Sequence, residues 1–208
     1  MIAGGGATRY GGAPKGLVEV GGRRLLDRVV DALTEATGSA PRLVANAPEA
    51  ATWRPGLVVH RDVLEGQGAL GGILTAVETV GRSDGQTVAT VEGVVCVAWD
   101  MPFVPSGLLR ELAAMLEHAD AALPESDGPR GLEPLCAAYG PACGPAIRAA
   151  LARGDQRAIG FHRDIRLVRL GRPRVLQYGD PGVVFFNVNT PDDLLRAEQL
   201  CRVPGSSR

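Results

Sequence analysis

Apolar positions along this chain fall into two alternating kinds of run. Residues 25–36 place Leu26, Val29, Val30 and Leu33 at the three-to-four-residue spacing of one helix face, which predicts an amphipathic helix. The same spacing predicts helices over 69–80, 108–118 and 145–153. Between them lie short apolar segments of strand character at 42–45 and 57–60. The segment 93–98, G-V-V-C-V-A, is continuous, apolar and rich in β-branched residues, as expected of a strand buried on both faces. Further strands are expected at 119–123, 134–139 and 165–170, and an extended stretch at 183–188. A last helix is expected over 191–200, with Thr190 as its N-cap. Residues 1–3 read as the stub of a strand entering a loop, short for a first strand. Strands alternating with helices predict βαβ units around a mainly parallel sheet. No repeat, low-complexity block or linker divides the chain, so one domain over 1–201 with a loose tail at 202–208 is expected.

Composition changes this picture little. The chain has 208 residues, 45% hydrophobic and 22% charged, a globular profile long enough to bury a core without metal or disulfide staples. Aromatics are only 4%, so that core is built mostly from Leu, Val, Ile and Ala. The net charge of −1 argues against a sequence-independent nucleic-acid binder, which needs a clear positive excess. No apolar run approaches the ~20 residues of a membrane-spanning helix. No signal-like segment opens the chain, and the cytoplasm is the expected compartment. The cysteines, Cys96, Cys136, Cys143 and Cys201, match no zinc or redox spacing and are expected to be reduced structural thiols.

Four segments carry candidate chemistry. Residues 3–15, A-G-G-G-A-T-R-Y-G-G-A-P-K, form a glycine-rich loop after a strand. Gly4, Gly5, Gly6, Gly11 and Gly12 let backbone N–H groups approach phosphate oxygens. Arg9 is suited to bidentate phosphate binding, and Lys15 supplies a compact charge. The pattern is neither a P-loop nor the dinucleotide fingerprint, and the plain alternative is a surface turn with two incidental cations. Asp100 follows the 93–98 strand, where a carboxylate is placed to hold Mg²⁺ against a triphosphate; a turn or capping role is the alternative. In residues 64–74, Gly68, Gly71 and Gly72 either admit a nucleobase or ribose beside the backbone or allow tight helix–strand packing, and Asp62 lies just before them. In residues 185–194, F-F-N-V-N-T-P-D-D-L, Asn187 and Asn189 alternate and share a side of an extended stretch. Helix capping accounts for 190–193 but not for the two asparagines.

Together these segments resemble the molybdenum cofactor guanylyltransferase (MobA-type) family of Rossmann-like nucleotidyltransferases, over nearly the whole chain. The family's L-A-G-G-x-[SA]-x-R-M-G-x-x-K loop is matched at 2–15, its C-D-M-P turn at 99–102 and its F-x-N-x-N-T-P-E-D-L segment at 186–194. Its G-P-L-A-G segment is matched loosely at 68–72. The glycine loop identifies the superfamily; the N-x-N-T-P segment points to the molybdopterin branch. The resemblance implies a three-layer αβα fold with a mostly parallel central sheet. It also implies transfer of GMP from GTP to molybdopterin, with Mg²⁺ as cofactor. By position, Arg9, Lys15 and Asp100 would be catalytic, with Asp100 on the metal. Ile2, Ala3, Gly4, Gly5, Gly6, Lys15, Asn46, Asp62, Gly71 and Asp100 would hold the nucleotide, and Arg157, Asn187 and Asn189 the pterin. A molybdopterin-delivering protein or a molybdoenzyme is the kind of partner this implies. The sequence departs from the pattern at Tyr10 (usually Met), Pro14 (Asp), Ala69 (Pro) and Trp99 (Cys). Cytidylyl transfer to molybdopterin, or another nucleotidyl transfer on the same fold, is the alternative these departures leave open; a non-catalytic nucleotide-binding protein is disfavoured by the presence of Lys15 and Asp100.

Overall fold

The computed structural model describes residues 1–3, 14–79, 93–128 and 131–202. A hairpin of β1 (Glu19–Val20) and β2 (Arg23–Arg24) leads into α1 (Leu25–Thr37). Then come β3 (Leu43–Val44), α2 (Ala50–Trp53), β4 (Val59–His60), α3 (Gly68–Thr79), β5 (Val94–Val97) and α4 (Ser106–Ala114). They are followed by β6 (Ala121–Pro124), β7 (Cys136–Tyr139), α5 (Cys143–Ala152) and β8 (Leu167–Leu170). The short α6 (Arg172–Val175) and α7 (Pro181–Val184) precede α8 (Pro191–Arg202).

The central sheet runs β4-β3, then residue 2, then β5-β7-β6-β8. Ile2 forms parallel bridges to Val44 on one side and Ala98 on the other, tied by Ala3 N–H to Val44 O at 2.8 Å and Ile2 N–H to Val97 O at 2.9 Å. The strand stub expected at the start of the chain is thus the link that joins two halves of the sheet. The pairs β3–β4 and β6–β8 are also parallel. Among the described strands of this sheet only β7 reverses direction, antiparallel to both β5 and β6. The sheet is therefore mixed, mostly parallel with one reversed strand.

Alternation along the strands feeds two cores. On β7, Cys136 and Ala138 join a cluster with Leu26, Leu33, Leu108 and Leu112 from α1 and α4. Ala137 and Tyr139 point to a second cluster with Leu70, Leu74, Ile147 and Ala150 from α3 and α5. Helices on both faces allow a strand to be an unbroken apolar run, as 93–98 is. α1 buries Leu25, Leu26, Val29, Val30 and Leu33, each burial contributing about 1.5–3 kcal/mol.

Several expectations are corrected. The stretch 183–188 forms no strand, and its first two residues belong to α7, because the Asp180 side chain accepts from Gly182 N–H and Pro181 sits in the first turn. That local start signal outweighs the strand preference of Val183 and Val184. The β1–β2 hairpin has no counterpart among the expected elements, since strands of two residues carry no periodicity. Its loop is Gly21-Gly22 at φ 58° and 70°, the left-handed pair that a two-residue hairpin turn requires. It packs against α8 through Val20, Leu25, Val188 and Ala197, with Gly21 N–H donating to Glu198 at 2.9 Å. α8 itself runs on through Arg202. Among the described residues no helix is long and apolar enough to cross a membrane. Cys96, Cys136 and Cys143 are buried and Cys201 is partly exposed. Burial raises the Cys96 thiol to about 11 and the Cys143 thiol to about 12, so both stay protonated near neutral pH.

Candidate active site

Parallel strands carry their ligand sites past their carboxyl ends, and the candidate residues collect there. Ala3 follows the Ile2 bridge, Asn46 follows β3, Asp62 follows β4, and Asp100 follows β5. They line one cleft of about 680 Å³, together with Ile2, Asn187 and Asn189. Segments far apart in the sequence are thus brought to one place by strand order alone.

Two of the cleft residues, Asp100 and Asn189, share a lysine. Lys15 lies in a 3-10 turn, Lys15–Leu17, closed by Leu17 N–H to Pro14 O at 3.0 Å. Its ammonium forms an ion pair with Asp100 Oδ2 and donates to Asn189 Oδ1 at 2.7 Å. The two side chains of the ion pair are only 14% and 10% exposed. Val188 N–H donates to Asp100 O at 3.0 Å, stitching the C-terminal segment onto the turn after β5. Asn189 is held from behind as well. Its N–H and that of Thr190 donate to Asp193 Oδ2 at 3.0 and 2.8 Å, while Thr190 Oγ1 accepts from Asp193 N–H at 3.2 Å. This reciprocal capping arrangement starts α8, with Thr190 as N-cap as expected. Burial pushes the Asp193 carboxyl up, but the Thr190 side chain, the two backbone N–H groups and the charge of Lys15 outweigh it and hold it below the usual range.

A second polar pair faces the same space. Asn46 Nδ2 donates to Asp62 Oδ2 at 2.8 Å, and Asp62 N–H donates to Asn46 Oδ1 at 2.9 Å. Thr75, fully buried in α3, accepts from Val63 N–H at 3.0 Å and lies 3.3 Å from Asp62 Oδ1. The pair keeps a carboxylate oxygen and an amide N–H for a ligand without unpairing.

Other candidates stand elsewhere. Gly71 does not line the cleft: a Cβ there would lie 2.9 Å from Gln67 Cβ and 3.2 Å from Leu64 O, so its role is close packing. Gly72 does line it, and a Cβ there would meet Ile2 Cγ2 at 2.7 Å. Arg157 sits outside the cleft, in an exposed loop, with Asp155 as bidentate partner at 2.9 and 2.6 Å. That guanidinium holds the Asp155 carboxyl down to about 2. Gly4, Gly5, Gly6 and Arg9 lie outside the described residues, as do Tyr10, Gly11 and Gly12.

Two tryptophans complete the wall. Trp53 and Trp99 stack with centroids 5.0 Å apart and planes 29° apart. Both line the cleft. Trp99 is legible in the sequence only as a departure from the family turn. Trp53 belongs to no motif, so local pattern carries no signal for it.

Among the described residues no three His, Cys, Asp or Glu side chains gather as a self-standing metal cage. Asp100 and Asn189 instead place two oxygens on one cationic group, the Lys15 ammonium. That donor set suits an ion that brings most of its ligands with it, as Mg²⁺ does on a triphosphate.

The chain is similar to known proteins over nearly its whole length. Residues 1–167 match the family described as MobA-like NTP transferase domain. A probable molybdenum cofactor guanylyltransferase of Pelotomaculum thermopropionicum is 32% identical over 200 residues, covering 96% of this chain and 91% of the relative. The crystal structure of molybdopterin-guanine dinucleotide biosynthesis protein A from Archaeoglobus fulgidus superposes with a TM-score of 0.75 at 26% identity, covering 96% of each chain. At 21% identity, the 2-C-methyl-D-erythritol 4-phosphate cytidylyltransferase of Thermus thermophilus shares the fold, with a TM-score of 0.63 over 97% of each chain.

Proposed function

The chain belongs to the MobA-like NTP transferase family, and on that premise we propose that it is a molybdenum cofactor guanylyltransferase. It transfers GMP from GTP to the terminal phosphate of molybdopterin. A phosphate oxygen of molybdopterin bonds to the α-phosphorus of GTP, the bond to the β-phosphate oxygen breaks, and pyrophosphate leaves. For the protein this is a problem of positioning and charge, with little covalent work.

The observation that carries the reading is the Lys15 ammonium seated between Asp100 and Asn189 at the carboxyl ends of the parallel strands. Lys15 is placed to donate to triphosphate oxygens and to offset the charge that develops on the leaving pyrophosphate. Members of this family act with a divalent metal; we assign Mg²⁺, with Asp100 as its protein ligand. When bound, such an ion neutralises triphosphate charge and makes the α-phosphorus more electrophilic. Ile2 and Ala3 supply backbone beside the nucleotide, and the Asn46–Asp62 pair holds its sugar or base. Asn187 and Asn189 line the acceptor side. Arg157 enters this scheme by exchanging Asp155 for a ligand phosphate.

The test is calorimetric titration with GTP, CTP, ATP and UTP, each with Mg²⁺, followed by assay of GMP transfer to molybdopterin. Selective GTP binding with release of one pyrophosphate per GMP transferred is the expected result. Selective CTP binding would overturn the guanylyl assignment in favour of cytidylyl transfer on the same fold.

A further inference from the structure

Trp99 adjoins both members of the Lys15–Asp100 pair along the chain or through a neighbour. It is bonded directly to Asp100, and its ring is pressed onto Gly16, the residue after Lys15. A Cβ placed on Gly16 would lie 2.8 Å from Cδ2 and Cζ3 of Trp99 and closer still to Cε3. No side chain fits between the indole and the 3-10 turn that carries Lys15. The ring is backed in turn. It stacks on Trp53, whose carbonyl accepts from Arg24 Nη1 at 2.9 Å. Arg24 and Arg54 both bind Asp27 of α1, at 2.6 Å each. A continuous run of contacts therefore leads from α1 through Trp53 and Trp99 to Asp100 and to Gly16 in the turn that carries Lys15.

The pair is kept at a cost. Trp53 and Trp99 are 5% and 3% exposed, and neither indole N–H has a hydrogen-bond partner among the described residues. A buried donor left unpaired is unfavourable.

We propose that Trp99 is a positioning residue for nucleotidyl transfer: its ring, braced by Trp53 and pressed on Gly16, sets the distance and direction between the Lys15 ammonium and the Asp100 carboxylate. This rests on the functional assignment made above. The chain's only two tryptophans are this pair, so intrinsic emission also reports directly on the cleft wall.

The experiment is a double-mutant cycle of Gly16→Ala and Trp99→Cys, with Trp99→Phe as the conservative variant. Triphosphate affinity is read by calorimetry and GMP transfer by steady-state kinetics. Gly16→Ala alone should lower turnover at least about tenfold, because the new methyl drives the Lys15 turn off the ring; a displacement near 1 Å is worth up to about a hundredfold. In the Trp99→Cys background the same methyl has room, so its further effect should be under about twofold. Trp99→Cys should lower kcat far more than it weakens GTP affinity, and Trp99→Phe should restore most of kcat. Equal effects of Gly16→Ala in both backgrounds, or wild-type kcat in Trp99→Cys, would overturn the proposal. Should Gly16→Ala not fold alone, folding regained with Trp99→Cys supports the contact, and kcat of Trp99→Cys against Trp99→Phe still decides the positioning role. If the wild-type protein transfers no GMP, the functional assignment fails by itself. The cycle is then read on affinity for whichever triphosphate binds, where Gly16→Ala should weaken binding and Trp99→Cys should mask that loss.

Discussion

The Lys15 ammonium is shared between one charged and one neutral oxygen. Asp100 offsets the charge of Lys15, while Asn189 takes up a donor without adding charge, so it is a metal on Asp100 that would leave the Lys15 charge to a polyanion. Asp100→Asn keeps the shape of the side chain and removes its charge. The variant should fold and should lose at least about a hundredfold in turnover, the scale of several kcal/mol of charge stabilisation. Near-normal turnover, measured with the variant's circular dichroism unchanged, would remove Asp100 from the metal and the mechanism. Lys15→Ala separates the other half of the pair: loss chiefly in kcat marks transition-state stabilisation, whereas loss only in GTP affinity marks a binding residue.

Elements matter here through their ends. α8 begins where the Asn189 side chain reaches Lys15, and Asp193 serves both, capping the helix and tethering the Asn189 backbone. Asp193→Ala should cost about 1 kcal/mol, the usual worth of such a cap, and lower Tm by about 2–4 °C in a chain of this size. It should also lower turnover, because Asn189 is freed; differential scanning calorimetry and kinetics on one sample test both, and a Tm loss with unchanged kcat would show that the cap does not reach the site. The Asp193 carboxyl lies below its unfolded value, so its contribution is present above that value and is lost as pH falls through the folded one. The hairpin β1–β2 matters for a similar reason, since its docking on α8 joins the Lys15 turn to the helix that positions Asn189.

At the scale of the whole molecule, the α3–α5 face of the sheet holds a half-buried base. Phe161 packs against Tyr139 at 6.1 Å and edge-on to His162 at 4.9 Å. The His162 Nε2 has no hydrogen-bond partner among the described residues. Burial, helped by the charge of Arg169, holds this imidazole down to about 4 from an ordinary 6.5. The unfolded chain therefore takes up the proton first as pH falls. Stability from neutral His162 is intact above about 6.5 and declines down to about 4. Below that, Asp27, Asp120 and Asp193, all held low, take over the loss. Tm should fall between pH 6.5 and 4, and the fall should be shallower in His162→Gln. Equal slopes in the two proteins would show that the imidazole is not buried neutral.

Local chemistry makes much of this protein legible in its sequence. The apolar spacing of α1, α3, α4 and α5 and the unbroken run of β5 report on one element at a time, and each lies within a few residues of where its pattern puts it. Asp100 after β5 and Thr190 before α8 are legible for the same reason, because turns and caps are written in adjacent residues. What lies between distant segments is not. No pattern within the chain says that β7 runs against its neighbours or that Ile2 joins two halves of the sheet. None says that Lys15 meets Asn189, 174 residues away, or that Asn46 locks with Asp62. Arg157 shows the limit in the other direction. Its place in a motif is readable, but its partner Asp155 and its distance from the cleft follow from how one loop folds on itself. The two tryptophans belong with these, since a stack is made by the order of strands, not by any spacing along the chain. Periodicity and capping are properties of neighbours in sequence; the site is a property of neighbours across a sheet, and only the tertiary structure chooses those.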